Sequence, residues 1–151
     1  MGLVDVALLS SRFTASRAVW DPSTLTELVA CIAEPSSVGL SAVAGLLAPT
    51  NRAEPGGVQV TFGDGVGANM TRAPIAPGLY ADVSVESVRR LATDEEVEVA
   101  GPGTLSFDGE RDVALAQDQR ARLRVTGGGP NVIDVDRALL ASTSTPTMEA
   151  K

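Results

Sequence analysis

Gly101-Pro-Gly-Thr-Leu-Ser-Phe-Asp-Gly-Glu-Arg-Asp-Val-Ala-Leu115 sets two alternating, strand-like runs on either side of an acidic, glycine-centred turn, Asp108-Gly109-Glu110. Asp-Gly between such runs is a hairpin signal, because glycine reaches the positive φ that a tight corner demands. The corner has two readings. It is a turn and nothing more, or it carries chemistry, with Asp108 and Glu110 offering two carboxylates to whatever docks there.

Working outward, most of the chain reads as short strands. Leu3 to Leu9 and Phe13 to Trp20 are β-prone runs separated by Ser10-Ser-Arg12, which predicts a hairpin. Asp21-Pro22 offers an N-cap followed by proline at the first helical position, predicting a short helix through Leu28 and a strand over Val29 to Ala33. Ser36-Ser37 can cap a second helical segment whose small residues Gly39, Ala42 and Gly45 form a close-packing face. Val58-Gln-Val-Thr-Phe62 and Val97-Glu-Val99 alternate, and Arg120-Ala-Arg-Leu-Arg-Val125 alternates most clearly, with three arginines on its solvent face. Its expected partner is Val113 to Ala116, or Val132 to Val135 across Gly127-Gly-Gly-Pro130. A helix is predicted from Asp136 to Ser142. The fold class expected is mainly β, an antiparallel sandwich with one to three short helices, as a single domain over residues 1–141 followed by a flexible tail at 142–151.

Composition narrows the chemistry. The chain has 151 residues with 44% hydrophobic but only 3% aromatic, so its core is packed from Val, Leu, Ile and Ala. A net charge of −7 argues against a nucleic-acid surface, which needs clustered Lys and Arg. No signal peptide or long apolar run is evident, so no membrane partner and a cytoplasmic location are expected. Histidine is absent, which removes Ser-His-Asp and Cys-His nucleophile activation and His-ligated zinc. No metal site is expected. Cys31, in an apolar run between Ala30 and Ile32, reads as an inert thiol.

Gly103-Thr-Leu-Ser-Phe-Asp-Gly-Glu-Arg111, then a strand, then Gly129-Pro130 and Val132-Ile-Asp-Val-Asp136, resembles the end of the NAD-kinase-like proteins of acetoin-utilisation operons, the AcoX family. Ala18-Val-Trp-Asp-Pro22, Ala33-Glu-Pro35, Gly39-Leu-Ser-Ala-Val-Ala-Gly45 and Ala73-Pro-Ile-Ala-Pro-Gly-Leu79 are similar to the same family in the same order. The resemblance runs from about Leu3 to about Ala141 and covers the C-terminal half of such proteins. It implies a β-sandwich like the C-terminal domain of NAD kinase. It also implies that Gly39 and Ser41 lie at a domain cleft as contacts to a ribose or phosphate, and that the Asp108-Gly109-Glu110 turn returns to that cleft. Arg111 would pair with Glu110 or with a phosphate. The cofactors implied are NAD, or ATP with Mg.

Gly63-Asp-Gly-Val-Gly67 looks like the Gly-Gly-Asp-Gly-Thr loop with which NAD and diacylglycerol kinases cradle phosphates. A phosphate loop leads from a strand into a helix, whereas Pro74 and Pro77 follow here without a helical period. It reads as a turn, so kinase activity is not expected of this chain alone. Three functional readings follow. The first is the nucleotide- or phosphorylated-ligand-binding half of an NAD-kinase-like protein, with Gly39, Ser41, Tyr80, Gly109 and Arg111 binding and a separately encoded N-terminal kinase half supplying the phosphate loop. The second is a small stand-alone enzyme of secondary metabolism using Asp108, Glu110 and Tyr80 as acid and base. The third is an oligomerisation module. Self-association is expected, because a half-cleft leaves an open edge.

Overall fold

Val6-Ala-Leu-Leu9 and Leu25-Thr-Glu-Leu-Val-Ala30 carry apolar residues in both parities of the strand, so a sheet built on them must be covered on both faces. A computed structural model describes residues 1–11, 21–50, 54–65 and 67–143 and bears this out. Its elements are β1 (Asp5–Leu9), β2 (Leu25–Ala30), α1 (Leu40–Leu47), β3 (Gly57–Phe62), β4 (Asn69–Ala76), β5 (Leu79–Leu91), β6 (Glu96–Ala100), β7 (Gly103–Phe107), β8 (Arg111–Leu115), β9 (Arg120–Arg124) and α2 (Val135–Thr143). Seven strands form one antiparallel sheet in the order β4-β5-β3-β2-β1-β7-β8, and β6 pairs with β9 as a separate ribbon. The fold is mainly β, antiparallel and sandwich-like, as expected.

The alternation of β1 and β2 divides the core. Ala7, Leu9, Leu28 and Ala30 join Val43 and Ala44 of α1 and Val58, Val60, Val83 and Val85 on one face. Leu8 and Val29 join Val97, Val99, Leu105 and Val125 on the other, beneath the β6–β9 ribbon. α1 comes close to the sheet because Gly45 has no side chain. A Cβ there would lie 2.5 Å from the Glu34 carbonyl carbon and from Pro35 N. The close-packing role read for Gly45 is thus observed.

Several local expectations are corrected. Asp21 does cap, its carboxylate accepting from Ser23 N at 3.0 Å, but the helix is a single 3-10 turn over Pro22–Thr24. Leu25–Ala30 is instead a central strand, because Leu25, Leu28, Val29 and Ala30 are all buried between neighbours. The strand read over Val29 to Ala33 therefore begins earlier and ends at Ala30. Gly39, at φ 81°, takes the N-cap of α1 in place of Ser36 or Ser37. β9 pairs with β6 rather than with residues 113–116 or 132–135. Apolar burial and charge both fit that pairing: Ala121 and Leu123 face the buried Val99 and Val97, while on the solvent face Arg120 meets Glu98 at 2.7 Å and Arg122 meets Glu96 at 3.8 Å. Val132 to Asp134 forms no strand and leads directly into α2. The predicted strand over Phe13 to Trp20 and most of the predicted tail lie outside the described residues. Among the described residues no helix is long and apolar enough to cross a membrane.

Candidate functional site

The hairpin that opened the reading is present, with β7 and β8 paired from Gly103↔Leu115 to Phe107↔Arg111. Its corner needs positive φ twice, at Asp108 (54°) and Gly109 (67°). An aspartate tolerates that region better than most residues. The carboxylate of Asp108 turns toward the start of the chain. Its oxygens accept from Leu3 N at 2.8 and 3.0 Å, from Val4 N at 2.8 Å and from Asp5 N at 3.1 Å. Asp108 N in turn donates to Asp5 O at 3.1 Å. The corner thus clamps the segment that leads into β1.

Glu110, by contrast, is exposed at the tip. Arg111 neither pairs with Glu110 nor hangs free: it donates to Met1 O at 2.9 Å and lies over the Phe107 ring at 5.0 Å. Gly39, Ser41 and Tyr80 lie elsewhere. Gly39 N donates to Pro74 O at 2.8 Å, and Tyr80 is the partner of Pro74 across β4 and β5, so these two are brought together near one end of the strand order. Tyr80 is 57% exposed. The Ser41 hydroxyl donates to Ile32 O at 2.9 Å and accepts from Glu34 N at 3.3 Å, which ties α1 to the chain after β2. Asp108, Gly109, Glu110 and Arg111 follow β7, near the other end of the strand order. The residues read as one site therefore form two groups.

A groove sits beside the clamp. It is open, about 1400 Å³, with Val6, Leu105, Phe107 and Leu115 on its sheet wall and Leu123 and Val125 of the ribbon on the other. Asp5 and Cys31 stand at its edge. Burial, together with the neighbouring Asp108 carboxylate, pushes the Asp5 carboxyl up to about 6. A carboxyl poised there exchanges its proton near neutral pH, the property expected of an acid–base group. Sequence reading passed over Asp5 because its partner is 103 residues away. The Cys31 thiol points at Leu3 O and Val4 O, both at 3.4 Å.

The Gly63 loop joins β3 to β4, strand to strand, with no helix behind it. The exposed Glu86 carboxylate lies against Gly63 and Gly65, so negative charge stands beside the loop and disfavours an anion there. Among the described residues no group of three or more carboxylates or thiols is arranged to hold a metal ion.

A family model described as the acetoin catabolism protein X C-terminal domain matches residues 1–127. The chain is also 34% identical over 137 residues to acetoin catabolism protein X of Cupriavidus necator, an alignment that covers 89% of this chain and 38% of that protein. The chain thus spans well under half the length of that relative. No solved structure matches.

Proposed function

This chain belongs to the family of acetoin catabolism protein X C-terminal domains, and we propose that it is the ligand-binding half of a two-part, NAD-kinase-like protein of acetoin catabolism. It takes a nucleotide or another phosphorylated ligand on a surface completed by an N-terminal half that carries the phosphate loop. The observation that carries this reading is the Gly63 loop. It has the glycines of a phosphate cradle but leads into β4, and the Glu86 carboxylate lies beside its glycines. Phosphate recognition then falls to another unit, and this chain contributes the exposed Glu110 at the corner of the β7–β8 hairpin. Asp108 acts in that scheme by holding the corner that presents Glu110.

Isothermal titration calorimetry with NAD, NADP and Mg-ATP tests the reading, on the chain alone and mixed with the N-terminal portion of the Cupriavidus relative. Binding that appears or strengthens at least about tenfold in the mixture supports it. Equal, absent binding in both arrangements refutes it.

One observation favours the second reading, a stand-alone carboxylate enzyme. The Asp5 carboxyl, pushed up to about 6, stands at the edge of a groove with apolar walls, and such a group can donate and accept a proton without histidine. On that reading Asp5 takes the acid–base role, because Asp108 is engaged with backbone.

A further inference from the structure

Glu96-Val-Glu-Val99 is the strand that β9 selects, acid residues opposite its arginines and valines opposite Ala121 and Leu123. Ile133-Asp-Val-Asp136 repeats that alternation of acid and aliphatic residues. It follows β9 after a glycine-rich connection, Gly127-Gly-Gly-Pro130, and lies past the residues that match the family model. Ile133 is 80% exposed, and Val132 and Val135 about as accessible as one another at 59% and 60%. The second edge of β9 pairs with no strand among the described residues. Arg124 on that strand has no ion pair there, and Arg122 only a long one. Two copies of β9 cannot satisfy each other, since their arginines would meet.

We propose that residues 131–136 of one copy add as a third strand to the free edge of β9 in a second copy, reciprocally, to give a closed two-fold dimer. Asp134 and Asp136 then face Arg122 and Arg124, and Ile133 and Val135 extend the apolar wall of the groove over Leu123. Within one chain this pairing is not made, as no residue from Thr126 to Asp134 is in a ladder with β9. Pro130 opens the segment with no N–H to donate and a fixed φ. The pairing displaces the cap of α2, where the Asp134 carboxylate accepts from Arg137 N at 2.9 Å. α2 has nine residues, exposed wherever its side chains are described, and a helix shorter than about 12 residues is marginal in isolation, so new ion pairs with Arg122 and Arg124 can offset the loss of its first turn. The proposal is independent of the nucleotide reading above, and the added strand borders the groove that Asp5 also lines.

Sedimentation velocity from micromolar to millimolar concentration tests it. The parent chain should dimerise. Asp134→Lys with Asp136→Lys, and separately Arg122→Glu with Arg124→Glu, should each raise the dissociation constant by about tenfold or more. An equimolar mixture of the two variants should recover the dimer, because each copy then offers its partner the opposite charge. Since the glutamates introduced on β9 also face Glu96 and Glu98, circular dichroism checks that the ribbon survives. Hydrogen exchange supplies a measurement free of that change: the amides of residues 120–124 that point away from β6 should lose protection when the chain is cut after Gly129, while those paired with β6 keep theirs. A monomeric parent, a dimer that survives the cut, or a mixture that stays monomeric overturns the proposal. A monomer with protected amides at 132–135 overturns it in favour of closure within one chain.

Discussion

Replacing Asp108 by Asn should destabilise the protein by about 2 kcal/mol. The carboxylate accepts from three backbone N–H groups at 2.8–3.1 Å. Hydrogen bonds to a charged acceptor contribute about 1.5–3 kcal/mol each when well enclosed, and less where water competes, as it does at partly exposed Leu3. Asn keeps one carbonyl oxygen, which can serve one or two of the donors, and must turn its NH2 outward. The net loss is therefore smaller than the sum of the bonds and is reduced further by relief of the repulsion with Asp5. Asn also tolerates φ near 54°, so the substitution leaves the backbone of the corner unstrained. At about 2–4 °C per kcal/mol for a chain of this size, the melting temperature should fall by about 4–8 °C. The Asp5 carboxyl should move down from about 6 at the same time, since its charged neighbour is gone, while burial keeps it above 3.8. Scanning calorimetry and carboxyl-detected NMR read the two effects. An Asn variant that melts with the parent, with Asp5 unmoved, would refute the clamp.

Gly45→Ala should cost about 3 kcal/mol in urea unfolding, because the added methyl meets Glu34 and Pro35 backbone that cannot give way, whereas Gly63→Ala meets only the flexible Glu86 side chain and should change stability by less than about 0.5 kcal/mol. The folded Asp5 carboxyl titrates above its unfolded value of 3.8, so between about pH 4 and 6 the folded state binds more protons and this residue's contribution to stability falls as pH rises, then levels. Measured as the difference in unfolding free energy between parent and Asp5→Asn, the decline should reach about 2–3 kcal/mol; a pH-independent difference would contradict it.

Where period and turn chemistry act locally, the sequence was legible. The β7–β8 hairpin, the β3 alternation and the packing role of Gly45 depend on neighbours a few residues apart. Leu25 to Leu28 was misread as helix because its cap signal at Asp21-Pro22 is real, and only burial between β1 and β3 makes this run a strand continuous with Val29 and Ala30. The arginines of β9 do lie on a solvent face, but its partner was missed because Val97 and Val99, more than 20 residues upstream, supply the buried side that Ala121 and Leu123 cover. The candidate site suffered most. Asp108 looks alike in sequence whether it greets a ligand or holds Leu3 to Asp5, and those contacts span more than 100 residues. Asp5 gave no motif at all, since its altered acidity arises from burial and from that same distant carboxylate.

The clamp also sets the position of β1 along its own axis. A strand with one polar face is held in register by polarity, because a slip of one residue would drown its apolar side. β1 has no such guard at Val6-Ala-Leu-Leu9, where both faces are apolar and differ only in size, so that Ala7 and Leu8 could trade cores without exposing either to water. A carboxylate that accepts only from Leu3, Val4 and Asp5 fixes the count directly. Asp108 thus works as an index pin, reading the start of the chain at one place and passing the alignment to β2 and β7, which take their own pairing from β1.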